Sequence, residues 1–138
     1  VIGAAIGVGE AMDNSVAARV IGEQVMALTA GQPLLTLFAI YLLTSLATEM
    51  ITNNAAAVLI FPVAMAAAES LGVSPMPFVI AIMIAASAAF ATPIGYQTNL
   101  MVYGPGGYRF GDYVRFGLPL NIIVMVIALL IIPRVWPL

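Results

Sequence analysis

The chain has 138 residues, of which 63% are hydrophobic and 7% are charged, and its formal net charge is −2. A soluble domain is about 45–50% apolar and about 25% charged, so this composition predicts an integral membrane protein. The chain contains no Cys and no His, and its four basic residues form no run. This composition excludes disulfides, thiolate chemistry and imidazole chemistry within the chain, and it argues against nucleic-acid binding.

The start of the sequence is apolar and lacks an initiating Met, a basic segment and a signal-peptide cleavage site. We expect a fragment of a longer protein, so that a site shared between two halves would be incomplete in this chain.

Residues 1–30 predict the end of a Gly/Ala-rich transmembrane helix followed by an amphipathic helix. Asp13 or Asn14 is in position to cap this second helix. Its apolar face consists of Val16, Val20, Ile21, Val25 and Leu28. The pattern favours a helix that lies along the membrane surface. The alternative is an ordinary helix packed on a soluble domain.

Residues 31–72 predict a helical hairpin. Apolar sequence runs from residue 34 to about residue 68 and is interrupted only at residues 52–54. That length exceeds the roughly 20 residues of one span, so two arms meeting at the interruption are expected. The arms fit two short spans joined by an exposed turn, and they fit equally a re-entrant hairpin whose tip stops inside the protein.

Residues 73–117 predict a discontinuous transmembrane helix and a loop. The apolar run of residues 76–91 ends at "TPIGYQTN", where Pro93 lacks a backbone N–H and disfavours helix at Thr92. The Gly-rich stretch "GPGGYRFGDYVRFG" then predicts a flexible connection. Arg109 and Arg115 in this stretch favour the cytoplasmic side.

Residues 118–138 predict the final transmembrane helix. Its apolar part starts at Leu118 and continues to about Ile132, and Arg134 and Trp136 mark an interface at its end.

Two polar interruptions, residues 52–54 and residues 92–99, are the candidate functional segments. Unwound backbone in a bilayer must be satisfied by protein or line a cavity. A following helix N-terminus suits an anion, and hydroxyl, amide and carbonyl oxygens suit Na⁺, as in the broken helices of secondary transporters. The structural alternatives are a plain interhelical turn and a Thr-Pro kink.

Glu49 lies beside the first interruption. A carboxylate in membrane sequence is costly and therefore suggests a function. It would carry a proton, assist cation binding, or fix the hairpin by hydrogen bonds to backbone N–H groups.

Two stretches, "TEMITNNAAAVLIFPVA" and "SAAFATPIGYQTNLMVYGPGGYRFGDYVRFGLPLN", resemble the second repeat of the divalent anion–sodium symporter family. These proteins are Na⁺-coupled carriers of dicarboxylates, citrate or sulfate. The resemblance implies an all-α integral membrane fold, with a re-entrant helical hairpin and a discontinuous transmembrane helix as one half of an inverted-repeat transporter.

The resemblance also implies residue roles. The Na⁺ ligands would come from Thr48, Ile51, Asn53 and Ala91. The substrate anion would be faced by Thr52, Asn53, Asn54, Thr92 and Pro93. In the family a Ser-Asn-Thr motif forms the hairpin tip; here Thr52 replaces the Ser, and Asn54 replaces the Thr with a bulkier amide. The polar stretch "GYQTN" is closer to sulfate-type members.

The predicted function is Na⁺-coupled symport of a divalent anion by alternating access, with Na⁺ as the coupling ion and no cofactor. The expected partners are the anion, the lipid bilayer, a missing N-terminal repeat and a second copy in a homodimer, in a plasma or inner membrane. The alternatives are a proton-coupled anion carrier or channel that uses Glu49, and a structural membrane subunit. An enzyme is not expected, because the chain offers no nucleophile–base pair.

Overall fold

The computed structural model describes residues 16–138 together with Gly3, Gly7, Glu10 and Ala11. The caps predicted at Asp13 or Asn14, and most of residues 1–11, lie outside the described residues. Residues 16–138 form six helices and no strand: α1 (Ala17–Leu28), α2 (Pro33–Met50), α3 (Asn53–Leu71), α4 (Met76–Ser87), α5 (Gln97–Tyr103) and α6 (Phe110–Val135). Three of them, α2, α3 and α6, are long and apolar enough to cross a membrane. The predicted all-α membrane fold is confirmed.

Helices α2 and α3 form a hairpin with a very short tip. Helix α2 begins with Pro33, which is compatible with the first helical turn, and it ends at Met50 because Ile51 adopts an extended backbone. Helix α3 begins directly after Thr52, whose Oγ1 accepts a hydrogen bond from the Ala55 N–H at 3.4 Å. Only two extended residues therefore separate the two arms.

The core lies where the hairpin packs against α4. Leu37 and Ile40 of α2, Val63 of α3, and Phe78 and Ala85 of α4 are all fully buried. Among them Ala85 is small, and small residues allow helices to approach closely. Close packing matters in a membrane because apolar burial alone does little to drive helix association.

Helix α1 packs on α3 through its small residues. Ala18 and Gly22 are buried, and a Cβ built on Gly22 would lie 3.4 Å from the Val63 carbonyl oxygen. Of its large apolar residues, Val25 packs against the core, whereas Val20 is 50% and Leu28 86% exposed. An exposed apolar face suits a lipid interface, and the location of this helix on the membrane surface stays a prediction.

Helix α4 ends at Ser87, before the predicted end of its apolar run at Ala91. Carbonyl groups in the last turn of a helix have no partner within the helix. Here the Ala86 carbonyl accepts from Thr48 Oγ1, and the Ala89 carbonyl beyond the helix accepts from Asn99 Nδ2. These side chains satisfy the unwound backbone, so the irregular segment extends over residues 88–96.

Helix α6 begins at Phe110 rather than at the predicted Leu118. The Arg109 N–H donates to the Asp112 carboxylate at 2.7 Å, and an acidic side chain in the first turn also interacts favourably with the helix dipole. The second half of "GPGGYRFGDYVRFG", predicted as a flexible connection, is therefore helical.

Candidate ion and anion site

Three hydrogen bonds join the end of the hairpin arm α2 to the last turn of α4 and to the interruption that follows it. Thr48 Oγ1 donates to the Ala86 carbonyl at 2.8 Å. The Ala91 N–H donates to the Glu49 carboxylate oxygen Oε1 at 3.0 Å, and Thr92 Oγ1 donates to the Glu49 backbone carbonyl at 2.8 Å. The second interruption is therefore held against the end of α2, next to the hairpin tip.

Glu49 also connects this unit to α6. Asn121 Nδ2 donates to Glu49 Oε1 at 2.6 Å, and Asn121 Oδ1 accepts from the Phe90 N–H at 3.3 Å. The other carboxylate oxygen, Oε2, is buried without a hydrogen-bond partner among the described residues. Of the three roles considered for Glu49, these contacts match a carboxylate that fixes the hairpin, although its partners come from distant segments rather than from neighbouring residues.

Asn121 is a site residue that sequence reasoning misses. It is the only polar residue in "LPLNIIVMVIALLII", the apolar stretch of residues 118–132, and a lone amide in membrane sequence usually has a partner in the protein. That signal indicates a buried contact, but it does not indicate Glu49 as the partner.

Gly117 explains how α6 comes so close to the interruption. A Cβ at this position would overlap the Phe90 carbonyl group and lie 2.6 Å from the Ala91 nitrogen. Only a residue without a side chain allows this approach of helix to backbone.

The four predicted Na⁺ ligands have different surroundings. Thr48 is fully buried, and because its hydroxyl hydrogen goes to Ala86, its oxygen lone pairs stay available. Ile51 has an extended backbone, with φ −128° and ψ 175°. Within residues 16–138, the Ile51 and Ala91 carbonyls accept no hydrogen bond, and the Asn53 side chain makes none. All four therefore offer uncharged oxygen, the ligand type that suits a weakly bound hard cation.

A cavity of about 650 Å³ lies at the hairpin tip. Its walls are formed by Thr52, Asn53, Asn54, Ile94, Gly95, Tyr96, Gln97, Thr98 and Leu100. Three of the predicted substrate-facing residues, the tip residues 52–54, therefore line it.

The other two predicted substrate-facing residues, Thr92 and Pro93, are not among these lining residues. The Thr92 hydroxyl donates to Glu49 and accepts from the Gly95 N–H at 3.1 Å, and Pro93 is buried. In this structure Thr92 therefore holds the second interruption against the end of α2.

A helical hairpin with an extended tip, joined to an interrupted membrane helix, is the arrangement of secondary transporters. Residues 1–136 match the family described as citrate transporter, so the chain belongs to this family. The predicted resemblance to divalent anion–sodium symporters is confirmed.

Several relatives carry the name of a transporter. An uncharacterised transporter of Synechocystis is 49% identical over 107 residues, which cover 78% of this chain and 17% of that protein. Sodium/sulfate cotransporter 1 of Chlamydomonas reinhardtii is 37% identical over 129 residues, 92% of this chain and 15% of that protein. The sodium-dependent dicarboxylate transporter of Staphylococcus aureus is 25% identical over 135 residues, 98% of this chain and 26% of that protein. The chain thus spans about a sixth to a quarter of the length of these relatives.

Proposed function

We propose that this chain is the C-terminal repeat of a Na⁺-coupled symporter of a divalent anion, either a dicarboxylate or sulfate, and that the whole protein works by alternating access. The observation that carries the proposal is that Glu49 and Thr92 hold the second interruption against the end of α2, beside a cavity lined by residues of both interruptions. The names of the sodium/sulfate and sodium-dependent dicarboxylate relatives support it.

The helix ends at the hairpin tip have the polarity that such coupling needs. Helix α2 ends at Met50 and α4 ends at Ser87, and the partial negative charge at a helix C-terminus favours a cation. Helix α3 begins at Asn53, where free N–H groups and partial positive charge favour an anion. A cation bound beside the Ile51 carbonyl would lower the cost of placing a dianion at residues 52–54. By linkage, the anion would then strengthen cation binding by the same factor.

The proposed machinery also includes an inverted N-terminal repeat outside this chain, which would supply the other half of the site. Helix α1 of this chain would link a moving transport domain to a fixed scaffold at a homodimer interface. The exposed large residues of α1 and α6, such as Leu28 and Ile123, would then face lipid or protein. The cell membrane, plasma or inner, is the proposed location, with residues 104–109 on the cytoplasmic side.

Uptake by the full-length protein in liposomes tests this function. Radiolabelled sulfate and succinate are offered outside, with NaCl replaced by KCl or choline chloride in parallel samples. We expect uptake of at least one dianion in Na⁺ and loss of that uptake in K⁺ and choline. Equal uptake in all three salts would overturn the Na⁺ assignment.

A proton-coupled carrier that uses Glu49 is the second candidate. The observation that favours it is the buried Oε2, which has no hydrogen-bond partner among the residues that the structure describes. The same liposomes decide between the two candidates. Uptake that persists without Na⁺ and collapses when a protonophore removes the proton gradient would favour proton coupling.

A further inference from the structure

The second half of the interruption packs against the hairpin at Gly95. The Gly95 N–H donates to Thr92 Oγ1 at 3.1 Å. A Cβ at Gly95 would lie 2.9 Å from the Thr48 carbonyl oxygen and 3.0 Å from the Ala89 Cβ. The missing side chain therefore allows residues 95–98 to lie directly beside the end of α2.

The same segment is also held at its other end, by Asn99. Asn99 Nδ2 donates to the Ala89 carbonyl at 2.9 Å and to the Thr92 carbonyl at 3.1 Å. The Asn99 carbonyl in turn accepts from the Tyr113 hydroxyl at 2.9 Å. Gly95 and Asn99 thus hold both ends of a short polar stretch at a defined place beside the hairpin tip.

Between these two anchors, Gln97 and Thr98 line the cavity at the hairpin tip. Both side chains are exposed, and neither makes a hydrogen bond to any residue from 16 to 138. Asn54, from the hairpin tip, lines the same cavity and is likewise exposed. Two separately anchored segments therefore present free amide and hydroxyl groups to one space.

We propose that Gln97 and Thr98 are specificity-determining residues that complete the anion site with Asn54 and select a compact tetrahedral dianion over a dicarboxylate. This inference rests on the proposed function, because it assigns the substrate class of that same site.

The chemistry of the lining favours a tetrahedral dianion. The Gln97 amide offers two N–H donors and Thr98 offers one O–H, and no Lys or Arg of the described part of the chain lines the cavity. A tetrahedral oxyanion such as sulfate accepts hydrogen bonds in several directions around one centre, so donors that come from two segments can bind it together. A dicarboxylate carries its charge at two ends of a carbon chain and would use the Gln97 and Thr98 donors at one end only.

Equilibrium binding to the purified full-length protein tests the proposal. Radiolabelled sulfate and succinate are titrated in NaCl and in choline chloride with the wild type, Gln97→Ala, Thr98→Ala and the double variant. The matched control is Met101→Ala, since Met101 also lies on α5 but is 73% exposed and is absent from the cavity lining.

For sulfate we expect Kd to rise about tenfold for each single variant and further for the double variant, because each substitution removes a hydrogen bond to a charged group. The Kd for succinate should rise less than about threefold, and the Kd for Na⁺ measured without anion should stay unchanged. Gln97→Glu, which keeps the side-chain length and adds a negative charge, should abolish sulfate binding and leave Na⁺ binding intact. Met101→Ala should match the wild type.

Three results would overturn the inference: an unchanged sulfate Kd in the double variant, an equal loss for sulfate and succinate, or retained sulfate binding in Gln97→Glu. Failure of the proposed function has a different signature. Sulfate binding that is equal in NaCl and choline chloride, yet weakened by Gln97→Ala, would overturn the proposal of Na⁺ coupling. The proposed specificity role of Gln97 would then still stand.

Discussion

The Asn121 side-chain amide donates a hydrogen bond to the Glu49 carboxylate at 2.6 Å, so the last helix is tied directly to the end of the first hairpin arm. The same carboxylate oxygen also accepts from the Ala91 N–H. One oxygen atom therefore holds together the hairpin, the interruption after α4 and helix α6. The candidate cation ligands Thr48 and Ala91 lie within this arrangement.

Replacing Asn121 with Leu, a side chain of similar shape, should destabilise the protein. The substitution removes the donor to Glu49 and leaves the Phe90 N–H without its acceptor. We expect a loss of about 1–3 kcal/mol in the free energy of unfolding, the usual cost of an unpaired buried polar group. Thermal denaturation of the purified full-length protein measures it as a lower Tm.

The neighbouring exchange Ile122→Leu is the control for Asn121, because Ile122 is exposed on the same helix. This exchange should change the free energy of unfolding by less than about 0.5 kcal/mol. Equal Tm values for Asn121→Leu and Ile122→Leu would show that the contact with Glu49 contributes nothing to stability.

Glu49→Gln and Glu49→Leu distinguish a structural role, in which Glu49 accepts hydrogen bonds from Ala91 and Asn121, from a proton-carrying role. Gln keeps an oxygen that can accept from Ala91 and Asn121, whereas Leu leaves both donors unsatisfied. We expect Na⁺-driven uptake by the Gln variant to stay within about threefold of wild type, and uptake by the Leu variant to fall more than about tenfold. If the Gln variant is as inactive as the Leu variant in the liposome assay, the negative charge itself is required for transport and the hydrogen bonds alone do not explain the role of Glu49.

The position of the hairpin tip could be predicted from sequence because its signals are local. A Thr followed by two Asn residues interrupts apolar sequence and provides an N-cap, and α2 and α3 indeed end and begin within two residues of Thr52. The end of α4 could not be predicted in the same way. The Ala86 carbonyl in its last turn is satisfied by Thr48 and the Ala89 carbonyl beyond it by Asn99, and no local pattern shows these contacts.

Long-range contacts account for the other differences. The Glu49–Asn121 pair is 72 residues apart, and the need for Gly117 arises only from the Phe90 backbone that it meets in the fold. The early start of α6 has a local cause, because Asp112 caps the helix. The glycines around it nevertheless favour the prediction of a loop for the same stretch.

Gly117→Ala should disrupt the packing of α6 on the interruption. The new methyl group would overlap the Phe90 carbonyl, and backbone cannot move aside as a flexible side chain can. We expect a cost of about 1–3 kcal/mol or more from overpacking, with a lower Tm and reduced yield of folded protein.

The matched control for Gly117 is Gly111→Ala in the same helix, where an added Cβ meets nothing within 4 Å. Ala should stabilise the helix there by up to about 1 kcal/mol relative to Gly. A Gly117→Ala protein as stable as Gly111→Ala would contradict the close approach of α6 to Phe90.

Asn53→Ala tests whether the hairpin tip binds the coupling ion. Asn53 is the first residue of α3, and Ala is a good helix former, so the helix and its Thr52 cap should persist. Removing the amide oxygen should raise the Na⁺ concentration for half-maximal uptake about tenfold, equivalent to about 1.4 kcal/mol. Met50→Ala is the control, because Met50 is 78% exposed at the end of α2. A purely structural membrane subunit predicts instead that Asn53→Ala leaves Na⁺ binding and transport by the full-length protein intact.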